Sequence, residues 1–300
     1  MTIELGTRLG LNVHRDQWPT AALLDSYGSA GFAWVQVHTP PRPMLADRER
    51  GRRHARALRA ALAPHGLRLL LHGPDDLSAG TIEHDRAFDG LMDYAAEAGA
   101  ELVGVGAMSF PVAEGPAAAR RLDERLAAEE RSLRRLAQRA EALGLVLALE
   151  NLAPTYPSRS ARVCHDVLAV RDLVRRLGSP AVGVLLDVGH AHLVASLRGE
   201  SAERVVRDAL DDVVVFHVHD NLGARRHDLG APGVDPLRLD LHLPPGAGCL
   251  PWDRLGPLLA GHGAPLMLEV ERSHGAAPAA LAADTTALLR RRPAAVPAAA

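Results

Sequence analysis

Eight short apolar runs recur along the chain, each followed by a longer polar or amphipathic stretch: RLGLNV at 8–13, WVQVHT at 34–39, LRLLLHG at 67–73, ELVGVGA at 101–107, LVLALEN at 145–151, VGVLLDVGH at 182–190, VVVFHVHD at 213–220 and PLMLEV at 265–270. Runs this short and this rich in Val and Leu read as buried strands. Between them, RRHARALRAALAPHG, the Arg- and Ala-rich stretch 117–143 and SARVCHDVLAVRDLVRRLG have helical spacing and stop at Gly66, Gly144 and Gly178, where a left-handed cap is expected. Strand and helix alternating eight times predicts an α/β fold, a single (β/α)8 TIM barrel. An open doubly wound sheet is the alternative, but LNVHRDQWPT after the first run lacks the glycine-rich phosphate turn of such sheets. The 300 residues are close to the usual size of one barrel, about 250. One domain is therefore expected over 1–290, with RRPAAVPAAA at 291–300 as a disordered Ala/Pro tail.

Charge and composition remove several functional classes. The 34 basic residues are all arginine, so chemistry that needs a lysine amine is excluded: Schiff-base aldolases, pyridoxal enzymes and Walker-type phosphate loops. Against 36 acidic residues the net charge is −2, which argues against a broad nucleic-acid surface. No run reaches the roughly 18 apolar residues of a membrane span. Cys164 and Cys249 have no metal-type spacing. A reduced, cytoplasmic setting without membrane or export is the expectation.

The polar residues at the ends of the runs carry the chemistry. His72, Glu150, Asp187, His217 and Glu269 each close an apolar strand, which places them in one ring at the mouth of the predicted barrel. Taken singly, each has a plain structural role, as a hydrogen-bonded imidazole or a carboxylate capping the next helix. Together they include three carboxylates, and burying these side by side costs on the order of several kcal/mol per unpaired charge. A divalent cation offsets that cost. Mixed carboxylates and imidazoles suit manganese, zinc, iron, cobalt or, less well, magnesium.

The motifs LALENL, LLDVGHAH, FHVHDN, DLHLPPGAG and LMLEV resemble, in order and over most of the chain, those of the xylose-isomerase-like TIM barrel superfamily. Its members include sugar-phosphate isomerases and epimerases, inosose-type dehydratases and apurinic endonucleases of the endonuclease-four type. The resemblance implies that Glu150, Asp187, His217 and Glu269 ligate one metal ion, and that His190 contacts substrate or a further ion. His219 shares a strand face with His217. In the superfamily the metal histidine is followed three residues later by an acid, as His217 is by Asp220, so His219 is left to orient substrate, to support the site from behind or to serve structure alone. Asp240 and His242, with His190, resemble the set that holds a further zinc ion in the endonuclease branch, and His72 resembles another zinc ligand there. The matching histidine after the fourth strand is absent, since GVGAMSF offers Met108 and Ser109, and the usual GEG is GAG with Ala247. Whether the chain holds one ion or more stays open.

Three functions follow as expectations. The first is an isomerase or epimerase acting on a small polyhydroxy carbonyl compound: a sugar, sugar phosphate or cyclitol. A metal chelating adjacent oxygens stabilises the enediolate while Glu150 and Glu269 remove and return the proton. Expulsion of a β-hydroxyl would make the same site a dehydratase. His190, His219 and Arg225, or Arg226 beside it, would hold hydroxyls or a phosphate, although both arginines equally suit a solvated surface. The second is a multinuclear zinc phosphodiesterase for abasic DNA, opposed by the missing histidine, the acidic balance and the acidic loop LHGPDDLSAG. The third is a binding barrel without catalysis. His14, Trp18 and His38 lie on specificity loops after the first two strands, and Trp18 reads either as a wall over the substrate or as packing. Barrels of this kind commonly pair through exposed helices, which leaves a homo-oligomer open.

Overall fold

Each apolar run becomes a strand: β1 Leu9–Asn12, β2 Trp34–His38, β3 Arg68–His72, β4 Leu102–Gly106, β5 Val146–Glu150, β6 Val182–Asp187, β7 Val213–Val218 and β8 Leu266–Leu268. They pair in parallel in sequence order, and β1 closes on β8 to complete the barrel. The computed structural model describes residues 5–154, 161–223 and 239–291. Helices cross between the strands: α1 Ala21–Ser29, α2 Arg42–Ala46, α3 Arg48–Leu62, α4 Ile82–Ala98, α5 Pro116–Leu143, α6 Val167–Leu177, α7 Val188–Arg198, α8 Ala202–Ala209, α9 Trp252–Gly261 and α10 Pro278–Leu289. The fold is thus the (β/α)8 TIM barrel. Most of the terminal Ala/Pro segment, 292–300, lies outside the described residues.

Local chemistry explains the boundaries. In α3, Ala55, Leu58 and Leu62 recur at helical spacing and are buried, and the Asp47 side chain accepts from Arg50 N at the start. Gly66, Gly144 and Gly178 all adopt φ between 63° and 67°, the left-handed stop their positions announce. Strand six ends before its apolar run does. The backbone turns into α7 at Val188 because the Asp187 side chain accepts from His190 N, so the carboxylate at the strand end also caps the helix.

Register decides what faces the barrel axis, since residues paired side by side in parallel strands share a face. Trp34, Leu70, Leu102, Ala148, Leu185, Val215 and Met267 form the inner apolar cluster. A larger shell of Leu, Val and Ala fills the space between strands and helices. Two residues further along each strand, on the same inward face, stand Gln36, His72, Gly104, Glu150, Asp187, His217 and Glu269. The barrel is therefore plugged by hydrocarbon below and lined by polar groups above. Gly104 breaks that polar layer for a steric reason, because a Cβ there would meet Leu185 Cδ1 at 2.7 Å. At the opposite end the buried Arg8 guanidinium donates to the carbonyls of Leu259, Ala260 and Ala264. Among the described residues, no helix is long and apolar enough to cross a membrane.

Candidate metal centre

Burial and convergence define the site. Asp187 and His217 are wholly buried, and Glu150 and Glu269 nearly so. One donor atom from each of Glu150, Asp187, His217 and Glu269 falls within 4.8 Å of all the others. His217 Nδ1 lies 2.9 Å from Glu150 Oε1, 3.4 Å from Glu269 Oε2 and 3.7 Å from Asp187 Oδ2. Its Nε2 is buried and has no hydrogen-bond partner among the described residues, so the ring's polar contacts with these three carboxylates run through the atom that faces them. Donors spread over such a distance can all reach one ion at bond lengths of about 2.0–2.2 Å. Three carboxylates and one imidazole nitrogen thus fit a divalent cation.

Neighbouring groups hold these donors in place. Gln36 Nε2 donates to Glu269 Oε1 at 2.7 Å. Asn151 brackets the end of β6, accepting from Asp187 N and donating to Asp187 O. His219 is fully buried, and its Nε2 lies 3.0 Å from Asp187 Oδ1, behind the cluster as seen from the cavity. It packs so tightly on Gly189 that a Cβ there would meet His219 Cε1 at 2.1 Å, which explains the glycine in the DVGH turn.

His190, His219, Asp240 and His242 form a second convergent group. His190 Nδ1 donates to Asn151 O and His242 Nδ1 to Glu269 O, each at 2.8 Å. Those bonds fix both rings with Nε2 toward Asp240 Oδ2, at 3.2 and 2.9 Å. Anchoring the far nitrogen on a carbonyl is how proteins orient an imidazole toward a cation. His242 reaches this position with φ of 47°, uncommon for a residue other than glycine.

His72 borders the first group, its ring stacked on that of His217 at 5.8 Å. Its Nε2 is 3.4 Å from Glu150 Oε2 and its Nδ1 donates to Gly73 O. After β4, where the resemblance implies a second histidine, stand Met108, whose N–H is held by both oxygens of buried Glu129, and Ser109, whose hydroxyl accepts from Arg162. The other neighbours of His72 are Asp75, with Oδ1 4.0 Å from Nδ1, and the His38 ring at 4.8 Å, and His72 is in neither convergent group of the described residues.

Burial alone would raise these carboxyls and lower these imidazoles, but opposite charges overcome it. His217 and His72 hold Glu150 below the usual carboxylate range, and His217, His242 and His72 hold Glu269 down at about 2. Conversely, Glu269 and Glu150 raise His217, and Asp240 raises His242 to about 9. A cavity of about 580 Å³ opens over the centre. Glu150 and Glu269 line it together with His72, His190, Asp240 and His242, whereas Asp187 and His217 do not. His14 and His38 line it as well, and Arg225 and Arg226 lie outside the described residues.

Sequence reasoning overlooked Gln36, Asn151 and Glu129. Gln36 was findable, since it follows Trp34 by the same two-residue step that separates Ala148 from Glu150. Glu129 was too, as an acid four residues before Leu133 on the apolar stripe of α5. Asn151 gives no signal until β5 and β6 are adjacent.

Comparison with known proteins agrees with this architecture. No curated protein matches the chain. Among solved structures it is similar to a xylose isomerase domain protein from Alicyclobacillus acidocaldarius, with TM-score 0.65 and 22% identity over 94% of this chain and 99% of that one. A D-tagatose 3-epimerase-like protein aligns with TM-score 0.66 and 16% identity over 94% and 96% of the two chains. The IOLI protein with a zinc atom gives 0.65 and 15% over 96% and 100%. Identity at this level establishes the fold alone. The model of the xylose isomerase-like TIM barrel family, however, matches residues 24–292, and the chain belongs to that family.

Proposed function

We propose that the chain is a divalent-metal-dependent isomerase or epimerase of a sugar, sugar phosphate or cyclitol. The observation that carries this reading is the convergence of three buried carboxylates and His217 Nδ1 beneath a cavity into which only the two glutamates of that set project. The epimerase-like neighbour supports it. Glu150, Asp187, His217 and Glu269 would hold the cation, which when bound polarises adjacent carbonyl and hydroxyl oxygens. Its identity lies among manganese, zinc, cobalt, iron and magnesium.

Glu150 and Glu269 come from β5 and from the end of β8, on different sides of the barrel mouth. Both are held deprotonated near neutral pH, the form in which a carboxylate accepts a proton. One removes the proton from the carbon beside the carbonyl, leaving an enediolate and itself becoming the carboxylic acid. The proton then returns to carbon either from that acid or, on the opposite face, from the other glutamate after it has taken up a proton from solvent. Exchange of position between carbonyl and hydroxyl gives isomerisation, inversion at the carbon gives epimerisation, and loss of a β-hydroxyl gives dehydration. His72 and His190 at the cavity wall hold substrate hydroxyls, with His219 supporting Asp187 from behind.

A multinuclear phosphodiesterase is the second reading, favoured by the His190, Asp240 and His242 arrangement, which would hold a further ion. Manganese-loaded protein offered a panel of ketoses in deuterated water, and separately an abasic oligonucleotide, separates the two. Deuterium uptake at carbon without strand cleavage is expected. Cleavage without uptake overturns the isomerase.

A further inference from the structure

The cavity over the candidate centre does not end there. A second cavity of about 620 Å³ abuts it, with Arg15, His38 and Asp75 lining both. Each is large enough for a small ligand by itself, since such sites run roughly 300–1,000 Å³. The outer one is built by the segments that follow β1, β2 and β3, with Trp18, Pro40, Pro41 and Met44 among its walls.

Its chemistry is neutral and aromatic. Arg15 is engaged by Asp75 through two contacts of 2.7 and 3.0 Å. Asp76 is engaged by Arg42 at 2.7 Å. A phosphate would find no uncommitted positive charge among these described residues. Trp18 is 42% exposed, one of few large apolar side chains so placed, and it lines this cavity. Its ring is braced edge-to-face on His54 at 5.0 Å, and His54 Nδ1 is in turn hydrogen-bonded to the hydroxyl of buried Tyr94 at 2.8 Å. A braced, solvent-facing indole among prolines, next to polar groups, suits the apolar face of a pyranose ring.

We propose that the outer cavity is a subsite for a glycosyl substituent, so that the substrate is a glycosylated keto-sugar whose carbonyl unit sits over the candidate metal centre while its second ring stacks on Trp18. The bond joining the two rings passes the edge shared by Arg15, His38 and Asp75. This rests on the isomerase or epimerase reading for its inner half only.

The test compares fructose with the keto-disaccharides maltulose, isomaltulose and lactulose, which carry a glycosyl group on a fructose unit. Manganese-loaded full-length protein is assayed by calorimetric binding and by deuterium exchange from solvent. At least one disaccharide is expected to bind about tenfold more tightly than fructose, and Trp18→Ala to bring that ratio close to one with metal content and melting temperature retained. Fructose bound as tightly as every disaccharide, or a preference that survives Trp18→Ala, overturns the subsite even if exchange proceeds. Trp18-dependent preference without exchange on any sugar leaves the subsite standing and overturns the isomerase.

Discussion

Two glutamates share a burial environment that would ordinarily neutralise a carboxyl, and both are kept ionised by imidazoles that touch them. Glu150→Gln and Glu269→Gln preserve shape and lose that charge. Each is expected to lower solvent exchange by about 10²–10⁴-fold, the usual worth of a positioned acid or base, while the circular dichroism spectrum stays that of the folded barrel. Full exchange in either variant refutes its proton-transfer role. His72 is a different case, because Met108 and Ser109 occupy the place of a second imidazole and are committed to Glu129 and Arg162. His72→Ala should leave metal content unchanged on elemental analysis and raise KM, as expected for a group that contacts substrate. Loss of one equivalent of metal would make His72 a ligand.

At the scale of elements, the connection between β4 and α5 is shaped by one buried acid. Glu129 sits on the inward stripe of α5 and accepts Met108 N–H at 3.0 and 3.1 Å, holding Met108 at φ of 50°. Burial pushes this carboxyl up to about 7, although the Met108 N–H and the Arg125 charge oppose it. Between about pH 4.5 and 7 the folded protein keeps a proton that the unfolded chain gives up. Stability therefore falls as pH rises through that window, and the contribution is complete only below it. Glu129→Gln keeps an acceptor for Met108 without the ionisation. Urea denaturation at pH 5 and pH 8 should show a loss in the parent protein larger than in the variant by on the order of 3 kcal/mol. Equal losses would show that Glu129 titrates normally. The same elements show what sequence could reveal. The apolar runs of β5 and β6 marked Glu150 and Asp187 because a polar residue closing such a run stands out locally. Asn151 bracketing Asp187 and the left-handed bend at His242 arise only when distant segments meet, and no local pattern encodes them. The boundary of β6 was obscured because VGVLLDVGH stays apolar across the turn into α7.

For the molecule as a whole, the barrel is divided into an apolar plug that stabilises the fold and a polar mouth that burdens it. The plug and outer shell contain no titratable group of the centre, so the metal-free protein should remain folded, its carboxylates facing His217 and His72, whose pKa values those carboxylates raise against the effect of burial. An ion that binds only the folded state adds stability by mass action, about 2.7 kcal/mol at a hundredfold excess over Kd. At about 2.1 cal/mol/K of unfolding entropy per residue, that corresponds to a rise in melting temperature of roughly 4–5 °C for a chain of this size. Calorimetric scans with and without manganese or zinc, and after chelation, check this, and a melting temperature indifferent to saturating ion removes the centre. Asp187 distinguishes a folding role from a ligand role because it has both geometries at once, capping α7 through His190 N and facing His217. Asparagine caps a helix as well as aspartate does but brings no charge. Asp187→Asn should therefore keep most of the metal-free stability and lose most of the metal-dependent rise. A variant that loses its metal-free stability and keeps the rise would identify Asp187 as a cap alone, leaving a centre of Glu150, His217 and Glu269.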